Sequence, residues 1–198
     1  MTRIFYVYVT EKDKNRTEEL QFDLMNVNLV EQFEIKWGMK GSDMDLAYFK
    51  KLFDYDYWAT ERLLTSLEAT ASPTEEAIKK MSHVLSAKEV WMGRLLGTPF
   101  HNLNQLMSAA EGRKLNEDQR DRMNAYLSRL DERQLSEKVA YQNLKGLPFE
   151  TVLSDILAHM VNHGSYHRGQ IASFIKKSSG EPAGTDYIGF VREYDAKR

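Results

Sequence analysis

Apolar residues recur with a helical period from Met44 onward. Leu46, Phe49, Phe53, Tyr57, Leu63, Leu64 and Leu67 gather on one face, which predicts a first long helix reaching about Glu68. Ser72 and Pro73 then supply a cap and a first-turn proline, and Glu75 and Glu76 suit the positive end of a helix dipole. Ile78, Met81, Leu85, Trp91 and Leu95 form a second stripe that stops at Gly97-Thr98-Pro99. Phe100 to Leu115 is polar and irregular, the pattern of a long loop crossing from one helix end to another. Asn116 is expected to cap a third helix carrying Met123, Tyr126, Leu127 and Leu130. Residues 136–147 have no helical stripe; Val139-Ala140-Tyr141 allows a short extended segment, but no sheet is expected. Pro148 is expected to open a fourth helix with Val152, Ile156, Met160, Ile171, Phe174 and Ile175 on its packing face, ending near Ser178-Ser179-Gly180.

Each of these helices has a stripe that only other helices can cover. The expected fold is therefore all-α, a four-helix bundle with a long central crossover connection, over residues 44–198. The tail Thr185-Asp186-Tyr187-Ile188-Gly189-Phe190 is expected to pack over one end of the bundle. Residues 1–43 do not fit this plan: Ile4 to Val9 is β-prone without a hairpin partner, and the arm carries the net charge of −2 of the whole chain. Two readings of this N-terminal extension stay open. It docks on the bundle, or it reflects an upstream mis-start, since Lys40-Gly41-Ser42 can be encoded by purine-rich codons resembling a ribosome-binding site just before Met44.

Composition narrows the chemistry. With 198 residues, the chain suffices for one domain plus an arm. Lys and Arg number 27 against 29 Asp and Glu, so no basic excess is available to hold a phosphate backbone, and nucleic acid is not an expected partner. The absence of cysteine removes disulfides, thiolate metal sites and a protein thiol nucleophile. No apolar run is long enough to span a membrane and no secretory pattern opens the chain, so a cytoplasmic protein is expected. No P-loop, dinucleotide fingerprint or Ser-His-Asp pattern is present.

Histidine carries what remains. His159, His163 and His167 fall at i, i+4 and i+8 on the fourth helix, and a pair four apart can place two imidazole nitrogens about 2.0–2.1 Å from one ion. His159 and His167 are separated by about 12 Å of axial rise, too far to share that ion easily. His83, inside the second stripe, is a candidate third ligand, and three histidines from two helices would leave open positions for water or substrate. By spacing alone, the same pair reads equally as a hydrogen-bonded core feature or a surface accident.

The segment His159-Met160-Val161-Asn162-His163-Gly164-Ser165-Tyr166-His167-Arg168-Gly169-Gln170 resembles the signature of the DinB/YfiT-like metal-binding four-helix-bundle superfamily. Phe53 to Leu64, Ser82 to Gly97 and Thr185 to Ile188 resemble its first-helix, second-helix and tail patterns, so the resemblance covers residues 44–193. On the matching positions it implies a divalent metal on His83, His163 and His167, leaving His159 behind the ligands or in the core. Zinc or nickel suits three imidazoles best, with iron or manganese as further candidates. Members of the wider family include transferases that use low-molecular-weight thiols such as bacillithiol, mycothiol or glutathione. The resemblance therefore implies thiol transfer to an electrophile, with a metal-dependent hydrolase or a non-catalytic metal- or small-ligand-binding stress protein as alternatives. A homodimer is expected from the same likeness and from the many large apolar helix residues.

Other residues invite weaker readings. Glu89 reads as a structural or solvated acid rather than a fourth ligand. Trp58, Trp91, Tyr55 and Tyr57 read as core more readily than as a pocket, and Arg168 as a helix-surface residue or a structural donor more readily than an anion anchor. His101 is expected to be exposed in the long loop, and Gly169 to allow close helix approach.

Overall fold

The computed structural model describes residues 45–99 and 105–196. The N-terminal arm and His101 lie outside the described residues. Helix α1 spans Leu46–Ala69, α2 Glu75–Leu96, α3 Ala109–Leu127, α4 Leu153–Lys177 and the short α5 Tyr187–Asp195; a hairpin of β1 (Lys138–Gln142) and β2 (Pro148–Val152) stands between α3 and α4. The all-α bundle expected from the stripes is the fold found.

Local chemistry fixes the boundaries. The Asp45 carboxylate accepts from the Ala47 amide at 2.7 Å to start α1. Thr74 caps α2, so the cap falls two residues later than Ser72, and Gly97 closes α2 in the left-handed region at φ 65°. The third helix begins well before Asn116. Ser108 and Glu111 form a reciprocal capping box that starts it at Ala109, and Asn116 is a buried mid-helix residue. Pro148 opens a strand instead of the fourth helix. Residues 138–152 pair antiparallel, from Lys138 opposite Val152 to Gln142 opposite Pro148. The turn is closed by Asn143, whose side chain accepts from the Lys145 and Leu147 amides, and by Gly146 at φ 79°. The hairpin then runs directly into α4, whose Leu153 amide donates to Glu137 O at 2.8 Å.

Helices α1 and α2 lie across the bundle from one another, each packed against both α3 and α4. Side-chain partners give the directions. Lys88 and Glu89 of α2 meet Asn116 and Arg122 of α3 with residue numbers rising together, so these helices run parallel, whereas Arg113 of α3 pairs with Glu68 of α1 and Arg120 lies over Tyr57, in the opposite sense. A parallel pair joined in sequence requires a connection as long as the helices, and 97–108 supplies it. Its far end is tied beside the start of α2, where the Met107 amide donates to Ser82 Oγ at 2.9 Å.

Two apolar clusters fill the interior, one around Phe49, Phe53, Met123, Leu127, Ile156 and Leu157, the other around Leu63, Leu64, Leu85, Ile171 and Ile175. The tail covers the first. Phe190 of α5 is buried, and the Tyr55 hydroxyl donates to Thr185 O at 3.0 Å. No helix among the described residues is long and apolar enough to cross a membrane.

Candidate metal centre

Helix α2 runs antiparallel to α4, which brings the third turn after the α2 cap alongside the middle of α4. His83, His163 and His167 meet there. One nitrogen from each ring can be chosen so that all three lie within 4.8 Å of one another, with ring centroids 5.3 Å (His83–His163), 4.9 Å (His83–His167) and 4.5 Å (His163–His167) apart. Nitrogens on one tetrahedral ion stand about 3.3 Å apart, so ring rotations suffice to close the set.

The protonation chemistry also suits a cation. Burial of the ring, then repulsion from His167, His83 and His159, pushes the His163 pKa down to about 4. Burial and the neighbouring His167 and Lys80 lower that of His83 as well. At neutral pH both offer lone pairs. His167, 9% exposed, places Nδ1 2.8 Å from Gln170 Oε1. An amide oxygen only accepts, so Nδ1 holds the proton and Nε2 is left as the basic nitrogen.

His159 does not join this set. Its ring is 5.7 Å from His163 but packs edge-on against Trp91 at 5.3 Å. Glu89 serves the opposite face of α2, accepting from Gln119 Nε2 at 2.8 Å and from Arg122. Of the aromatic residues, Tyr55 and Trp58 pack against Phe190 of the tail, and Tyr57 stacks under Arg120. Of these four, Trp91 alone stands beside a histidine, His159; Tyr166 packs edge-on against His167 at 4.9 Å.

Immediately behind His167, the interior holds charge. Arg168 and Asp56 are each 1% exposed, and Lys88 is 8% exposed; Asp56 accepts from Lys88 Nζ and Arg168 Nη1, both at 2.5 Å. Burial acts to raise the Asp56 pKa, but the two cations outweigh it and hold the carboxyl below its ordinary range. Ser165 Oγ accepts a further bond from Arg168 at 2.9 Å. This network ties α1, α2 and α4 together one residue from a candidate ligand. Arg168 is thus a structural donor, whereas Asp56 and Lys88 escaped the sequence reading. Their signal was present: each interrupts an apolar stripe at a core-facing position.

Gly169 does not mediate close approach, since nothing lies within 4 Å of where its Cβ would stand; Gly164 does, with Asp56 Oδ1 at 2.6 Å and Arg168 Nη1 at 2.8 Å from that position.

Fold and site together define a class: a helical bundle with a three-histidine cluster, compatible with metal binding, shared by two antiparallel helices. The model of the DinB family matches residues 54–196, and the chain belongs to that family. It is 29% identical over 159 residues to Protein DinB of Bacillus subtilis (strain 168), covering 69% of this chain and 90% of that protein. No solved structure matches the chain at a comparable level.

Proposed function

We propose that His83, His163 and His167 hold a divalent cation, zinc or nickel, at an enzyme site that transfers a low-molecular-weight thiol to an electrophile. The convergence of three imidazole nitrogens within 4.8 Å carries this reading. Such an ion, when bound, supplies Lewis acidity that lowers the pKa of a coordinating thiol. The chain's own part is to present unprotonated rings: burial keeps His163 neutral, and Gln170 fixes the tautomer of His167. Three protein ligands leave room for a substrate atom. The chain has no cysteine, so the nucleophilic sulfur comes from the cosubstrate. This reading places the protein in the cytoplasm, where thiols are kept reduced, as a homodimer for which exposed Tyr48 and Ile188 offer apolar surface.

The test is elemental analysis of untagged full-length protein, followed by conjugation assays with bacillithiol, mycothiol and glutathione against several electrophiles. Metal-dependent conjugation that is lost in the His83→Ala, His163→Ala and His167→Ala variants supports the reading. Metal-dependent cleavage of esters or amides without thiol conjugation replaces it with a hydrolase. Metal bound without turnover on either series leaves a binding protein.

A further inference from the structure

We propose that the seam between α2 and α4 runs on from the histidine cluster into an anion-binding subsite on Arg94, which takes a carboxylate at the far end of a ligand whose sulfur lies at the histidines. The sulfur half of this statement rests on the thiol reading above. Along α2, Lys80, His83, Ala87, Trp91 and Arg94 recur at helical spacing and share one face. From the cluster, rings lead toward Arg94 in a row: His163 to His159 at 5.7 Å, His159 to Trp91 at 5.3 Å, and Trp91 to Tyr141 of the hairpin at 5.1 Å. The Arg94 guanidinium lies over both of the last two, 4.4 Å from the Trp91 ring and 4.9 Å from that of Tyr141.

What sets Arg94 apart is that it lacks an ion partner among the described residues. Among the described residues, every other arginine that is buried or half-buried pairs with a carboxylate: Arg62, Arg113, Arg120, Arg122 and Arg168. Arg94 has no such partner, and its Nε is buried without a hydrogen bond. Its place in the last turn of α2 suits a positive charge, but the helix dipole does not satisfy N–H donors. A planar guanidinium in contact with two rings can still present its Nη fork to a carboxylate bidentately. Lys80 adds a second cation one turn before His83, also without an ion pair among the described residues. The seam therefore favours a ligand that is anionic at both ends. The steps of 5.7 and 5.3 Å carry the row from His163 to Trp91, a span of about three extended residues at about 3.3–3.6 Å each, within which the thiol and one terminal carboxylate of a tripeptide fit.

Calorimetric titration of cobalt-loaded full-length protein with glutathione, S-methylglutathione and 2-mercaptoethanol tests this, with the cobalt absorption spectrum followed in parallel. Arg94→Met is expected to weaken glutathione and S-methylglutathione at least ten-fold, and Arg94→Lys several-fold. Binding of 2-mercaptoethanol, which has no carboxylate, is expected to stay within two-fold. If Arg94→Met does not fold, Arg94→Lys decides. Equal affinities of wild type and variants for both glutathione compounds, or no binding of either, overturn the subsite. If no thiol perturbs the cobalt spectrum, the thiol reading falls; an Arg94-dependent affinity for S-methylglutathione then still establishes the anion subsite alone.

Discussion

His167 and Gln170 are joined by a hydrogen bond of 2.8 Å from Nδ1 to Oε1, made within one turn of α4. The bond decides which nitrogen of His167 carries the proton, and so which can ligate. Because both residues lie on the same rigid helix, the ring is oriented without help from a loop.

Replacing Gln170 by Leu is expected to weaken metal binding 10- to 100-fold, as losses of such supporting bonds do, and to cost about 1–3 kcal/mol of stability because the Nδ1–H donor of His167 is left without an acceptor. Gln170→Glu, which still accepts from Nδ1, is expected to retain wild-type affinity or better. Competition against a chromophoric chelator measures both. Loss of affinity in the Glu variant equal to that in the Leu variant would refute the orienting role.

Among the histidines, His83→Ala, His163→Ala and His167→Ala are each expected to reduce metal content sharply, and His159→Ala to retain most of it. The reason is geometric: His159 sits against Trp91, outside the convergent set. Elemental analysis of the four purified variants decides, and equal loss in the His159 and His167 variants would break the assignment.

The buried ion network makes a different prediction. Asp56→Asn leaves Lys88 and Arg168 buried with their shared anion gone, at a cost of about 3–5 kcal/mol. The sign of the pH dependence follows from the direction of the shift. Asp56 has its pKa lowered on folding from an ordinary 3.8, so its contribution is complete above that value and is lost as pH falls through the lower, folded-state pKa. Urea unfolding between pH 7 and pH 2 is expected to show a steeper acid limb in wild type than in Asp56→Asn, which is weaker throughout but flatter. Parallel acid limbs would show that other carboxylates govern the decline.

The same network explains which features were legible beforehand. Helices and bundle were readable because Phe49, Phe53, Leu63 and Leu67 repeat at the helical period, and the histidine spacing was readable because i and i+4 are neighbours on any helix. Asp56, Lys88 and Arg168 occupy stripe positions too, but a sequence does not say which distant charges will meet, and a lone polar residue on a stripe has many fates. The hairpin was missed for a related reason. Its strands are only five residues each and mostly exposed, so alternation is weak, and Pro148 fits a helix start as well as a strand start. The early start of α3 depends on the Ser108–Glu111 capping box, whose Ser-x-x-Glu spacing is as plain in the sequence as the cap that Asn116 offers.

The two glycines of the histidine segment are expected to respond oppositely to alanine. At Gly164 a methyl group would stand 2.6 Å from Asp56 Oδ1 and 2.8 Å from Arg168 Nη1, both fixed by the buried ion pair and unable to yield without separating it. Gly164→Ala is therefore expected to cost about 1–3 kcal/mol, the usual range for overpacking, and to disturb the metal site, since the displaced helix carries His163 and His167. At Gly169 the methyl group meets nothing within 4 Å, so only backbone entropy changes, and Gly169→Ala is expected to stabilise the helix by about 0.5–1 kcal/mol. Thermal and urea unfolding of the two variants, together with chelator competition, checks both. A stabilising Gly164→Ala would mean that α1 and α4 can separate freely at Asp56, and that the ion network does not set the spacing of the helices that bring the histidines together.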